Sequence, residues 1–313
     1  MEKKPILFDH DGSVDDFLSL ILLLTMPEAD LLGISITPAD CYAENALETT
    51  RKLLEIAKRP DIEVGIGDFH GINAFPPAWR AKPKMLNALP ALIGIEVAAD
   101  PTQCRESTRL LTEKLKASPD PVTIMMTGPC SNLVRALKGD PTLARNIQKV
   151  VWMGGAFEVP GNVATYNHNG TAEWNVFWDP KSAQELLTFG LDLVFVPLDV
   201  TNHVPVTTEF LKELSLHAQH PWAQLAGQFW ATTLDTIPAY EYIYFMWDVL
   251  ATSYLHIPEA FTTQAVEVAV DSVGPSAGRT YYQEGSGHTA QVATQVDKDV
   301  FYAYLIEAFS QQP

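Results

Sequence analysis

Basic residues are scarce in this chain. Its 313 residues include 21 Lys and Arg against 38 Asp and Glu, a formal net charge of −17. Polymeric nucleic acid and anionic membrane surfaces are bound by clustered cations, so both are poor partners here. A bound cation or a neutral small molecule suits this charge better. Cysteine is nearly missing as well: Cys41, Cys104 and Cys130 are the whole set. An odd number with no close pair makes neither a disulfide framework nor a zinc-type ligand pair. A reducing, cytoplasmic compartment is the expectation. Long apolar runs are also absent. The most apolar stretch, residues 17–26, is too short to span a bilayer and reads as a buried helix. The N-terminal MEKKPILFDHDG enters a strand directly and lacks the apolar region and cleavage site of a signal peptide.

What is present is an alternation of short apolar runs and helical patterns. The runs at 6–8, 31–36, 63–66, 122–126, 150–153 and 193–196 read as buried parallel strands. Helical periodicity covers 16–26, 43–57, 107–116, 131–137 and 180–188. The expectation is an α/β fold: one large domain over residues 1–313 with a mainly parallel, Rossmann-like sheet flanked by helices. Towards the C-terminus come a long aromatic helical stretch (222–255), strand-like segments at 265–270 and 279–282, and a last helix at 299–309. The stretch 69–90 is rich in Pro, Gly and Asn and reads as a long binding loop.

The sharpest feature is PILFDHDGSVDDFLSLILLL, where Asp9, Asp11, Asp15 and Asp16 follow a strand and open a helix. Ligands of open α/β sheets bind at the C-terminal ends of strands, where this turn sits. Asp9 and Asp11, two residues apart, would share one face if the extended backbone persists. Crowded carboxylates raise one another's pKa, and a hard divalent cation such as calcium or magnesium relieves that conflict. A cation beside a carboxylate also makes water an available nucleophile. As isolated residues, these aspartates read equally well as helix caps and a solvated acidic loop.

The turn resembles two families. One is the first motif of haloacid-dehalogenase-type phosphatases; the other is the Asp-x-Asp-x-x-x-Asp-Asp signature of nucleoside hydrolases. Later motifs separate them: TGPCSNL at 127–133, WMGGA at 152–156, PGNV at 160–163, TAEWNVFWDP at 171–180 and WDVLA at 247–251. In this order and spacing, over nearly the whole chain, they resemble nucleoside hydrolases. No convincing set of later phosphatase motifs is present.

That resemblance implies calcium-dependent cleavage of the N-glycosidic bond of ribonucleosides. By motif position it implies Asp11 as general base, with Asp11, Asp16, Asp248 and the backbone carbonyl of Thr127 on the ion, and Asp9 as a ligand or its support. Asp15, Asn162, Glu173 and Asn175 would hold the ribose, with Met153 lining its pocket. The chemistry agrees, because the transition state is an oxocarbenium-like sugar that carboxylates stabilise. Glu173 and Asn175 are expected on one side of an extended segment, and Ser131 or Asn132 as the cap of the following helix.

Three departures lean towards a purine-preferring type. Asp40 stands in TPAD where an Asn after a Gly is commoner. The link between Asn162 and Glu173 is long. Trp247 precedes Asp248 where a His often stands, and Trp can stack on a base but cannot protonate it. Trp79 resembles a second stacking partner, Asp40 an acceptor for a purine nitrogen, and Tyr244 a side chain closing over the site. His10 reads as structural, and His168 as able to reach the site. Family members form homo-oligomers, and a homodimer is the expectation. The competing readings are the phosphatase and a non-catalytic nucleoside-binding protein; the presence of Asp11, Asp16 and Asp248 together argues against the latter.

Overall fold

A computed structural model describes residues 3–77, 80–82, 86–234 and 243–313. Strand β1 (Lys4–His10) is buried from Ile6 onwards on both faces, as an apolar run between two helical layers must be. It feeds helix α1 (Val14–Thr25), buried along almost its whole length. Then follow β2 (Ala29–Ile36), α2 (Ala43–Ile56), β3 (Val64–Ile66), the short β4 (Arg105–Glu106), α3 (Ser107–Ala117), β5 (Val122–Met126), α4 (Ser131–Gly139) and β6 (Ile147–Met153). One-turn helix α5 (Trp174–Trp178), α6 (Pro180–Leu186), β7 (Leu193–Val196) and α7 (Leu198–Thr201) come next, then α8 (Thr208–Ser215), α9 (Pro221–Ala231) and α10 (Trp247–Ser253). Strands β8 (Phe261–Val270), β9 (Thr280–Tyr282) and β10 (Thr289–Val296) precede the closing α11 (Lys298–Phe309).

The ten strands form one sheet in the order β4-β3-β2-β1-β5-β6-β7-β10-β8-β9. It is parallel from β4 to β10, and β8 pairs antiparallel with both β10 and β9. The α/β expectation holds, and the core lies on both faces of the sheet. Strand order reverses between β1 and β5, so the crevice outside their C-terminal ends is where a ligand belongs.

Several local expectations are corrected. The aromatic stretch 222–255 is not one helix: α9 stops at Ala231 and α10 starts at Trp247. Strand β10 has no counterpart in the expectation, because its sequence TAQVATQV is too polar to stand out as an apolar run. The cap of α4 is Cys130, with no side-chain bond. Ser131 Oγ instead donates to Asp179 (2.8 Å), and Asn132 Nδ2 donates to Thr37, Ser35 and Asp9 (2.8, 3.0 and 3.3 Å).

Candidate active site

Strand β1 ends at His10, so Asp11 is free of the strand's alternation. Gly12 makes the turn with φ of +88°, and a Cβ there would meet Ala46 Cβ at 2.7 Å. Only glycine suits both the left-handed backbone and the space. From across the crevice the β5–α4 connection closes in, and a Cβ on Gly128 would lie 2.8 Å from Asp11 Cβ. Asp9 and Asp11 therefore do not share one face. Asp9 stays under the sheet end with Asn132, while Asp11 lines a cavity of about 340 Å³.

That volume suits a small molecule. Asp11, Asp40, Thr127, Met153, Asn162, Glu173, Asn175, Tyr244, Trp247 and Asp248 all line it. Asp15 and Asp16 do not. Asp15 Oδ2 accepts from the backbone N–H of Asp248 (2.6 Å) and Val249 (3.2 Å). It therefore caps α10 from α1 and sets the position of Asp248. Asp16 is the N3 residue of α1. Its carboxylate accepts from the backbone N–H of Ser13 (2.7 Å) and from Thr127 Oγ1 (2.5 Å). Trp79 lies outside the described residues.

Glu173 and Asn175 are not in an extended segment. Glu173 caps the one-turn helix, accepting from the N–H groups of Asn175 (2.8 Å), Val176 (3.3 Å) and, on the neighbouring loop, Gly155 (3.1 Å). Asn175 Nδ2 donates to the carbonyls of Thr127 (2.8 Å) and Met153 (3.1 Å). It thereby ties the helix to the ends of β5 and β6. Asn162 Oδ1 accepts from Trp174 N–H at 3.1 Å. Trp247 packs edge-on against Tyr244 with ring centroids 4.7 Å apart, and its indole Nε1 is buried without a partner among the described residues. Two backbone bonds, Val206 N–H to Tyr244 and Met246 N–H to Val204, pin this segment.

His168 does not reach the cavity. Its Nδ1 accepts from Gly170 N–H (3.0 Å), and Nε2 lies 2.9 Å from the Ala277 carbonyl. With Nδ1 accepting from an N–H, Nε2 is the ring nitrogen left to donate to that carbonyl. His10 is structural, as expected: it is fully buried against Phe8 and Phe17, and burial lowers its pKa to about 4.

Sequence reasoning missed Ser13, Phe75, Trp174, Asn202, Ile243 and Phe245 on the cavity wall. Phe75 and Trp174 stack with centroids 4.5 Å apart. Trp174 stands between two residues already singled out and so left a signal, whereas Asn202 caps the C-terminus of the short helix α7 and left none. Phe75 lay hidden in the aperiodic loop.

The lining carries four carboxylates, and no Lys or Arg is among the described lining residues. Burial raises the pKa of Asp11 well above the ordinary range, and the Asp16, Asp40 and Asp248 charges push it further. Asp40 and Asp248 are raised by burial and by Asp16 in the same way. Burial brings Glu173 up to about 7, and burial with a smaller push from the Asp16 charge brings Asp9 and Asp15 there too. Such a cluster must hold protons or a cation. Among the described residues, no three His, Cys, Asp or Glu side chains already converge closely enough to hold a metal ion. The donor chemistry nonetheless fits a hard cation: the carboxylates lie beside the Thr127 carbonyl, whose second lone pair remains after the Asn175 bond.

The family model described as inosine-uridine preferring nucleoside hydrolase matches residues 6–303. The chain belongs to that family. Nucleoside hydrolases of known structure share its fold: the inosine-uridine preferring enzyme of Bacillus anthracis superposes with a TM-score of 0.89 at 33% identity, covering 98% of this chain and 99% of that one. The pyrimidine-specific ribonucleoside hydrolase RihB of Escherichia coli O9:H4 is 28% identical over 98% of this chain and 97% of its own. An Arabidopsis thaliana protein named "Probable uridine nucleosidase 2" is 31% identical over 66% of this chain, a match spanning 63% of that protein. This nucleoside hydrolase is therefore an enzyme acting on ribonucleosides, and the phosphatase reading falls. The Escherichia coli and Arabidopsis names speak of pyrimidines and uridine and the Bacillus anthracis one of inosine and uridine, so the purine-specific subtype expected from the sequence is not supported.

Proposed function

We propose that the enzyme hydrolyses the N-glycosidic bond of ribonucleosides with calcium in the acidic crevice and purines as the preferred base. The cavity lining carries the first part of this reading. A nucleoside is neutral, and an aromatic and carboxylate wall with no Lys or Arg among its described residues accepts it while repelling phosphate esters. Asp11, Asp16, Asp248 and the Thr127 carbonyl would hold the ion, with Asp16 meeting it from the base of α1. When bound, it supplies Lewis-acid activation of a water molecule. Asp11 would serve as the general base, accepting a proton from the attacking water. Glu173, Asn162 and Asn175 orient the ribose hydroxyls, and the surrounding carboxylates stabilise the cationic sugar as the bond to the base breaks.

Purine preference rests on Trp247 and Asp40. Trp247 offers a buried donor beside an aromatic wall, and Asp40 Oδ1 is a buried acceptor with no partner among the described residues. Both a purine and uracil carry a ring N–H and an acceptor for these two groups, and the two-ring face of a purine covers more of the aromatic wall, which tips the preference. No His is among the described lining residues to protonate the departing base. The second reading, pyrimidine preference, is favoured by the names of the RihB and uridine nucleosidase relatives. Steady-state kcat/KM for inosine against uridine decides: a ratio above one supports the purine reading, and a ratio below one overturns it. Assembly as a homodimer belongs to the same reading and is checked by sedimentation.

A further inference from the structure

We infer that Arg80 is a positioning residue for base recognition: it clasps the long loop onto the Asp40 turn and fixes where the Asp40 carboxylate stands. This rests on the reading above that Asp40 meets the base.

Backbone bonds tie the turn after β2 to the acidic turn at two points, Thr37 N–H to the His10 carbonyl (2.8 Å) and Cys41 N–H to the Asp11 carbonyl (3.1 Å). Residues 37–42 form no helix or strand, yet Asp40 lines the cavity. Arg80 comes from the other side of the loop, 41 residues on. Its Nε donates to the Ala39 carbonyl and its Nη2 to the Pro38 carbonyl, both at 3.0 Å. Its guanidinium lies over the Tyr42 ring, 4.7 Å from the centroid. The next residue continues the seam: Ala81 N–H donates to the Asp40 carbonyl at 2.8 Å, and the Cys41 thiol faces the Ala81 carbonyl at 3.9 Å. Every residue from Pro38 to Tyr42 is thus touched by Arg80 or Ala81.

Two features make this a device for recognition rather than packing alone. Arg80 spends these donors on backbone carbonyls, and no ion pair with Asp40 forms. Asp40 Oδ1 is consequently left buried and without a partner among the described residues, in a side chain that lines the cavity. A direct Arg80–Asp40 pair would have consumed that acceptor. The second feature is the shape of the group. A guanidinium donates in a fork to two successive carbonyls while its flat face covers an aromatic ring, and an ammonium cannot do both. The cation also sits close enough to offset part of the repulsion that Asp40 feels from Asp16.

The test compares Arg80→Ala and Arg80→Lys with the parent enzyme on two substrates. One is inosine, whose base needs Asp40. The other is a nitrophenyl riboside, whose leaving group departs unaided. Releasing a carboxylate by an ångström costs up to about a hundredfold in a positioned reaction. Arg80→Ala is expected to lower kcat/KM for inosine at least tenfold more than for the aryl riboside, with Arg80→Lys between parent and Ala. In an Asp40→Asn background, Arg80→Ala is expected to add less than threefold, because the group it positions is already impaired. Equal losses on both substrates, or losses that multiply in the double variant, would overturn the inference and leave Arg80 as a packing residue. Should Arg80→Ala fail to fold, the ratio measured with Arg80→Lys decides alone: no shift between substrates overturns the inference. A parent enzyme inactive on every nucleoside would instead reject the proposed function, so the two failures are separable.

Discussion

Stripped of divalent cations, the protein is predicted to lose stability as pH rises from 5 to 6.5. Burial raises Asp9, Asp15 and Glu173 to about 7. Each therefore binds a proton in the folded chain that the unfolded chain has released. His10 works in the opposite sense: burial lowers it to about 4, so it gains its proton only on unfolding. Three protons held against one leaves the folded state with about two more than the unfolded state. Stability then falls by about 3 kcal/mol per pH unit from these groups, since each proton contributes about 1.36 kcal/mol per unit. Asp11, Asp40 and Asp248 add in the same direction. A cation replaces those protons, so calcium at about a hundred times its dissociation constant restores roughly 2.7 kcal/mol. Thermal unfolding in chelator at pH 5, 6 and 6.5, repeated with calcium, reads both effects. Stability that is flat or rising with pH in chelator, or indifferent to calcium at pH 6.5, would refute the carboxylate reasoning.

Other outcomes follow from the same geometry. Asp11→Ala lowers kcat about 10²- to 10⁴-fold, as loss of a general base does, while circular dichroism shows the fold kept; normal turnover would end that assignment. Trp247→Ala reduces kcat/KM for inosine about tenfold more than for an activated aryl riboside, because only the natural base relies on the indole; parallel kinetics check it. Asp15→Ala releases the Asp248 and Val249 N–H groups, so about 1–2 kcal/mol of cap stability is lost in urea titration and calcium affinity falls with it. His168→Ala leaves kcat within twofold but lowers the melting temperature, because its ring bonds join Gly170 and Ala277 rather than lining the cavity.

Much of the fold was legible in the sequence because buried parallel strands read as uninterrupted apolar runs. β1, β2, β5, β6 and β7 all stood out that way. β10 did not: it lies next to the polar antiparallel edge, and its alternating Thr, Gln and Ala carry no apolar run. The site was legible as a set of residues but not as a set of roles. Spacing put Asp15 and Asp16 beside Asp11, yet the helix turns them inward, where one caps α10 and the other accepts from Ser13 and Thr127. Glu173 and Asn175 looked like a strand pair because one helical turn is too short to show periodicity. Arg80 gave no local signal, since its partners lie some 40 residues away.

Ribose release from inosine and uridine, each with and without a calcium chelator, tests the central claim most directly. The account predicts ribose and free base from both, inosine cleaved the faster, with release stopped by chelator and restored by calcium. Unchanged release in chelator would contradict the acidic crevice as the seat of a required cation, and no release from either nucleoside with calcium present would contradict the hydrolase reading of the cavity.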